Sequence, residues 1–150
     1  HEWVAPAKPK PSLYKASASH CFESDTVEAL GDGLQPRNSS DREIPRMTWW
    51  PHQGTTEWAQ FDFGKPMKVS SVSVYWFDDT GIGRCRLPAS WKVLFREGEQ
   101  WKEVRNAQAD PVAKDKFNHA AFDAVETSVL RLEVVLQPNF SSGILEWQVK

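Results

Sequence analysis

From Glu57 onward, apolar residues recur at every second position, and that period specifies strands rather than helices. Glu57-Trp58-Ala59-Gln60-Phe61-Asp62-Phe63 alternates, and Gly64-Lys65-Pro66 reads as its stop. Val69 to Phe77 puts Val72, Val74 and Trp76 on one face and Ser71, Ser73 and Tyr75 on the other. Trp91, Val93 and Phe95 line the apolar face of the next run. That run ends at the polar turn Arg96-Glu97-Gly98-Glu99, which with Trp101-Lys102-Glu103-Val104 predicts a hairpin. Phe117 to Phe122 is a weaker strand. Leu130, Leu132, Val134 and Leu136 alternate with Arg131, Glu133 and Val135, and Ile144 to Val149 is the last strand. Only Asp25 to Leu30 has helical character. Short strands separated by turn signals predict an all-β sandwich.

A chain of 150 residues is expected to form one domain with a real core. Residues 1–13 contain Pro6, Pro9 and Pro11 and read as a linker from a preceding domain, leaving 14–150 as the folded unit. The opening His1-Glu2-Trp3 is no signal peptide, so the chain reads as a segment of a longer protein. The net charge is −2, with no basic stripe, which argues against nucleic acid or an anionic membrane as partner. No apolar run approaches the ~20 residues that span a bilayer. Cys21 and Cys85 allow one disulfide at most. Spacing does not decide the pairing, and free thiols are the expected state.

Eight tryptophans sharpen the functional question. Most fall in the strand runs, where aromatics fill a half-buried pleated surface. Trp49 and Trp50 instead sit side by side in Arg46-Met47-Thr48-Trp49-Trp50-Pro51-His52. Neighbours in an extended chain point to opposite faces, so the two indoles cannot anchor the same core. Trp49 is the one expected to be exposed, with Trp50 as the core plug. An indole left at a surface offers a flat apolar face and one N–H donor, which suits a sugar ring.

Six short motifs then fall in one order: Ala16-Ser17-Ala18-Ser19, Ala29-Leu30-Gly31-Asp32-Gly33, Thr48-Trp49-Trp50, Trp58-Ala59-Gln60-Phe61-Asp62-Phe63-Gly64, Ser90-Trp91-Lys92-Val93, and the pair Leu130-Arg131-Leu132-Glu133-Val134 with Ile144-Leu145-Glu146-Trp147-Gln148-Val149. In that order the chain resembles a discoidin, or coagulation-factor type C, domain over residues 14–150. The resemblance implies a galactose-binding-like jelly-roll β-sandwich. Pro45 to Trp50, Tyr75 to Gly81, Gly83 to Pro88 and Leu136 to Trp147 are also similar to the C-terminal β-sandwich of bacterial β-L-arabinofuranosidase-type glycoside hydrolases (family 127). That family's catalytic barrel is not in this chain, and its activity does not transfer.

The resemblance implies a structural Ca²⁺ held by the carboxylates of Asp32 and Glu146, the hydroxyl of Thr48, and backbone carbonyls near Ala29, Leu34 and Leu145. These hard oxygen donors suit an ion that takes about 6–8 of them. The stretch Gln35 to Glu43 is extra, so Asn38, Ser39 or Ser40 is an alternative to Thr48. The other reading is that Asp32-Gly33 is only a turn and Glu146 only a strand residue.

Loops of this fold cluster at one end, and here they carry Trp49, Trp50, His52, Asp78, Asp79, Arg84, Asn139 and Phe140. That set offers aromatic faces, donors and acceptors for stacking a sugar and bonding its hydroxyls. Arg84 pairing with Asp78 or Asp79 as a loop brace is the competing reading. Catalysis is disfavoured. Adjacent Asp78 and Asp79 point oppositely, unlike a glycosidase pair, and nothing in their spacing joins Cys85 to His52 or His119 as nucleophile and base.

The sequence therefore predicts a non-catalytic, extracellular or periplasmic carbohydrate-binding module. It is expected to accompany a parent glycoside hydrolase catalytic domain in cis and to bind plant-type glycans containing arabinose or galactose. The alternative is a structural domain that packs on the catalytic domain, with Trp49 or Trp147 as inter-domain contacts.

Overall fold

The computed structural model describes residues 10–150, so most of the expected linker lies outside the described residues. Its last part is tied down. Ser12 N–H donates to the Glu28 carboxylate, and Leu13 N–H donates to the Gly31 carbonyl at 2.9 Å. Glu28 itself sits in a 3₁₀ turn, Val27–Gly31, whose N-cap Thr26 accepts from Glu28 N–H. This turn is what becomes of the expected helical stretch.

Eight strands form among the described residues: β1 Lys15–Ala18, β2 Met47–Thr48, β3 Thr56–Phe77, β4 Ser90–Glu97, β5 Gln100–Glu103, β6 Gln108–Ala109, β7 Phe117–Val135 and β8 Gly143–Val149. Two pairs of expected strands fuse. Gly64-Lys65-Pro66 does not end β3; it shifts the register against β7 between Asp62 and Met67. The strand absorbs its punctuation as an irregularity and changes layer there. The runs around Phe122 and Leu130 likewise join into β7.

Pairing then divides into two groups. The first half of β3 takes β1 (Ala16↔Phe61) and the end of β7 (Phe61↔Leu130), which in turn carries β4 (Val93↔Leu132). The hairpin partner β5 closes this group, with Glu97↔Gln100 flanking the turn at Gly98, whose φ is +63°. The second half of β3 takes β8 (Val74↔Trp147), with β2 beyond it (Met47↔Ile144). All of these pairs are antiparallel. Phe61 from the first group stacks on Trp147 from the second, with centroids 4.0 Å apart and planes 12° apart. Trp76 meets Trp91 edge-on at 5.6 Å, also between the groups. The core therefore lies between two sheet layers, as expected for a sandwich. Each such aromatic removed from water contributes about 1.5–3 kcal/mol.

Trp49, Trp76 and Trp147 are all fully buried. Trp147 is therefore not a surface contact for a second domain. A smaller apolar cluster of Tyr75, Phe77, Cys85 and Leu145 packs outside the main core. Cys21 and Cys85 are free thiols. No helix among the described residues is long and apolar enough to cross a membrane.

Candidate functional site

The short strand β2 sorts its neighbourhood by alternation. Met47 and Trp49 point into the core, each 0% exposed, and the Trp49 indole N–H donates to the Trp58 carbonyl at 3.2 Å. The expectation that Trp49 is the exposed indole is thus reversed: Met47 is the core residue that sets the phase, and Trp49 shares its face. Arg46, Thr48 and Trp50 line the opposite side, in a cleft of about 190 Å³ that also includes Phe22, Asp25, Phe77 and Arg84. Trp50 is partly buried there. Arg46 pairs with Asp25 at 3.4 Å and lies over the Phe77 ring at 5.0 Å. Burial pushes the Asp25 carboxyl up, while the Thr48 hydroxyl and Arg46 partly offset that rise.

The next loop carries the two acids expected as sugar acceptors. Asp78 and Asp79 are both 5% exposed, and their oxygens are committed within the protein. Asp78 accepts from Thr80 N–H at 3.0 Å and Leu87 N–H at 2.9 Å. Asp79 accepts from Cys85 N–H at 2.8 Å and from Arg42 at 3.1 Å, with Arg86 at 3.9 Å. Both hold the loop, because buried carboxylates must find donors, and Asp79 also lines the cleft. What the loop presents is Arg84, which is exposed. Its Nη2 donates to the Asn139 carbonyl at 2.6 Å and reaches Gln53 Oε1 at 3.5 Å. Arg84 therefore does not brace Asp78 or Asp79. Its guanidinium lies 4.9 Å over the Phe140 ring, with Arg86 at 4.4 Å from the same ring. Asn139 holds φ of +67°, a left-handed conformation that asparagine tolerates.

His52 is anchored at the rim. Its Nδ1 is 3.0 Å from Glu57 Oε2, and its ring stacks on His20 at 4.0 Å. His20 Nε2 in turn contacts the Trp50 carbonyl at 3.0 Å. Burial alone would raise the Glu57 carboxyl; hydrogen bonds from Thr55, Ser19 and His52 outweigh it and hold the group below the usual range. No nucleophile is prepared here. Burial, reinforced by Asp79, pushes the Cys85 thiol up to about 12, and His119 Nδ1 pairs with the Ser73 hydroxyl instead.

Asp32 follows the 3₁₀ turn, which packs on β8, the strand that carries Glu146, and its charge acts on Glu146. Leu34 N–H donates to Asp32 Oδ1 at 3.0 Å, and the Gly33 and Trp147 amides partly stabilise the Glu146 carboxylate. Asp32 Oδ2 and Glu146 Oε1 are buried with no hydrogen-bond partner. Burial first, and the Asp32 charge second, push the Glu146 carboxyl up to about 8; burial also raises Asp32. Two buried carboxylate oxygens without donors, on groups whose charges act on each other, fit a hard cation. Leu145 is the extra residue where the β3–β8 register shifts, which takes its backbone out of that ladder. Ala29 is fully buried and Leu34 partly so. Thr48 is placed differently from expectation: its hydroxyl donates to Asp25 and lines the cleft. Among its alternatives, Ser39 exchanges hydrogen bonds with Asp115, and Asn38 Oδ1 accepts from Ser40. No cluster of three or more His, Cys, Asp or Glu side chains among the described residues is arranged for a metal.

Sequence reasoning missed Phe22, Asp25, Arg46, Phe77, Gln53 and His20 as parts of this site. Arg46 was within reach, because counting by twos from Trp50 through Thr48 arrives at it. Phe22, Asp25 and His20 come from a loop whose return to β2 no local pattern announces; Phe22 N–H donates to the Thr48 carbonyl at 3.0 Å.

No curated protein sequence matches the chain. Solved structures do. A chain of the Streptococcus pneumoniae β-galactosidase BgaA superposes with a TM-score of 0.80 at 23% identity, covering 97% of this chain and 96% of that one. The family 32 carbohydrate-binding module of Clostridium perfringens NanJ, in complex with galactose, has a TM-score of 0.66 at 15% identity, covering 90% and 91%. Chitosan-binding module 2 of a Paenibacillus chitosanase/glucanase, in complex with chitotriose, gives 0.65 at 13% identity, covering 92% and 96%. At these identities the likeness establishes the fold, a galactose-binding-like sandwich. The F5/8 type C domain model matches residues 15–146, and the chain belongs to that family.

Proposed function

We propose that this domain is a non-catalytic carbohydrate-binding module. In this reading it accompanies a glycoside hydrolase catalytic domain in cis, outside the cytoplasm, and binds plant-type glycans that contain arabinose or galactose. The observation that carries the reading is the cleft at Trp50. It combines a partly exposed indole, a neighbouring Phe22, and the fixed Arg84 fork within one cavity of about 190 Å³. That volume admits one sugar ring or part of one, which stacks on the indole while its hydroxyls bond to Arg84 and the Asp25–Arg46 pair. His52, Asn139 and Phe140 form the rim. Related folds that bind galactose and chitotriose support the assignment. The similarity to β-L-arabinofuranosidase-type enzymes makes a family 127 barrel the proposed companion.

A structural Ca²⁺ belongs to the same reading. Asp32 and Glu146 supply its carboxylates, with backbone carbonyls of Ala29, Leu34 and Leu145 as further donors. Bound there, the ion neutralises two buried like charges and fixes the loop that covers β8.

A glycan array probed with the isolated domain tests the function. Binding concentrated on arabinose- or galactose-containing glycans is the expected result. If no glycan is retained, yet the domain raises the thermal stability of a linked catalytic domain, a packing role replaces this one.

A further inference from the structure

Charge accounting at the cleft leaves one cation over. Arg46 is matched by Asp25, while Arg42 and Arg86 share Asp79. Asp78 is occupied by the Thr80 and Leu87 amides. Arg84 has no ion-pair partner among the described residues; its two hydrogen bonds go to neutral oxygens of Asn139 and Gln53. It is nevertheless held in place, over the Phe140 ring and tied to two other loops. A guanidinium carries five N–H donors in a fixed plane, so donors remain for a ligand. An exposed, pre-positioned fork without a counter-ion matches the geometry of a carboxylate or sulfate better than that of a hydroxyl.

We propose that Arg84 makes this cleft prefer an acidic sugar, pairing with an anionic substituent on a glycan ring lodged against Trp50. The inference rests on the carbohydrate-binding reading and narrows its ligand class. Carboxylate and sulfate present the same chemistry to the fork, and the experiment separates them.

The test is calorimetric titration of the domain with galactobiose, digalacturonate and a 6-sulfated galactobiose. At least one acidic disaccharide is expected to bind about tenfold more tightly than the neutral one, the scale of one charge-assisted hydrogen bond. Added salt is expected to narrow that gap, since an exposed charge pair is screened. Arg84→Gln is expected to remove the difference between acidic and neutral ligands. Arg84→Lys, which keeps the charge without the fork, is expected to keep part of it. Equal wild-type affinity for neutral and acidic disaccharides overturns the preference and leaves the carbohydrate reading standing. A preference that survives in Arg84→Gln overturns the role of this residue. Absence of binding by all three sugars overturns both.

Discussion

The Trp49 indole N–H reaches the Trp58 backbone carbonyl at 3.2 Å, so of two adjacent tryptophans one is a structural pin and the other faces the cleft. The two positions are therefore expected to respond oppositely to truncation. Trp49→Ala leaves a large core cavity, at a cost of about 3–5 kcal/mol. Trp50→Ala is expected to cost clearly less. Denaturant unfolding of both variants checks this, and a Trp49→Ala protein as stable as Trp50→Ala contradicts it.

The Asp32–Glu146 pair sets a pH dependence whose sign is fixed. Glu146 goes from an ordinary value of 4.5 to about 8 on folding. Between those values the folded chain holds the extra proton, so metal-free stability falls as pH rises from about 4.5 to about 8. Asp32, also raised, acts in the same direction. Calcium is expected to raise the melting temperature most at the alkaline end, because it binds the folded, ionised pair. Glu146→Gln is expected to flatten the metal-free slope and abolish the calcium effect. Melting curves in EDTA and in Ca²⁺ that coincide at every pH count against the ion.

The thiols offer a separate reading of the core. Burial pushes Cys21 up to about 11 and Cys85 up to about 12. Neither forms appreciable thiolate near neutral pH, so a thiol reagent is expected to label the folded protein slowly and both residues rapidly in denaturant. Fast labelling of Cys85 in the native state argues against its position beside Phe77 and Leu145.

Gly83 is tightly enclosed: a Cβ there would lie 2.2 Å from Asp79 Oδ2. Gly83→Ala must therefore displace the carboxylate that accepts the Cys85 amide and anchors Arg42. We expect weaker glycan binding through a displaced Arg84, with a stability loss of about 1–3 kcal/mol from the disturbed buried carboxylate. Unchanged binding in this variant detaches Arg84 from the recognition role.

Local pattern made the sandwich legible. Val72, Val74 and Trp76 lie on the predicted core face, and the Gly98 hairpin forms where its turn residues place it. Continuity of β3 and β7 was hidden because Gly64-Lys65-Pro66 carries a stop signal that β7 pairing overrides on both sides. Membership of the binding loops was visible, but their roles were not. Whether Asp78 faces solvent or the Thr80 and Leu87 amides depends on how the loop folds back, which composition does not encode. The Trp49–Trp50 alternation was read correctly and given the wrong phase, since the phase comes from Met47 entering the core opposite Ile144. Asp32 and Glu146 were joined only through family resemblance; their separation of over a hundred residues gives no local signal.

The central claim is that the Trp50 cleft binds sugar, and calorimetry on the wild-type and Trp50→Ala domains tests it most directly. With arabinose- and galactose-containing oligosaccharides, wild type is expected to bind with Kd of roughly micromolar to millimolar, about −4 to −8 kcal/mol. Tryptophan fluorescence is expected to change on binding. Trp50→Ala is expected to lose at least tenfold in affinity, about 1.4 kcal/mol or more, while still unfolding cooperatively. Wild-type affinity retained by a folded Trp50→Ala domain, or no heat of binding from any of these sugars, contradicts the account.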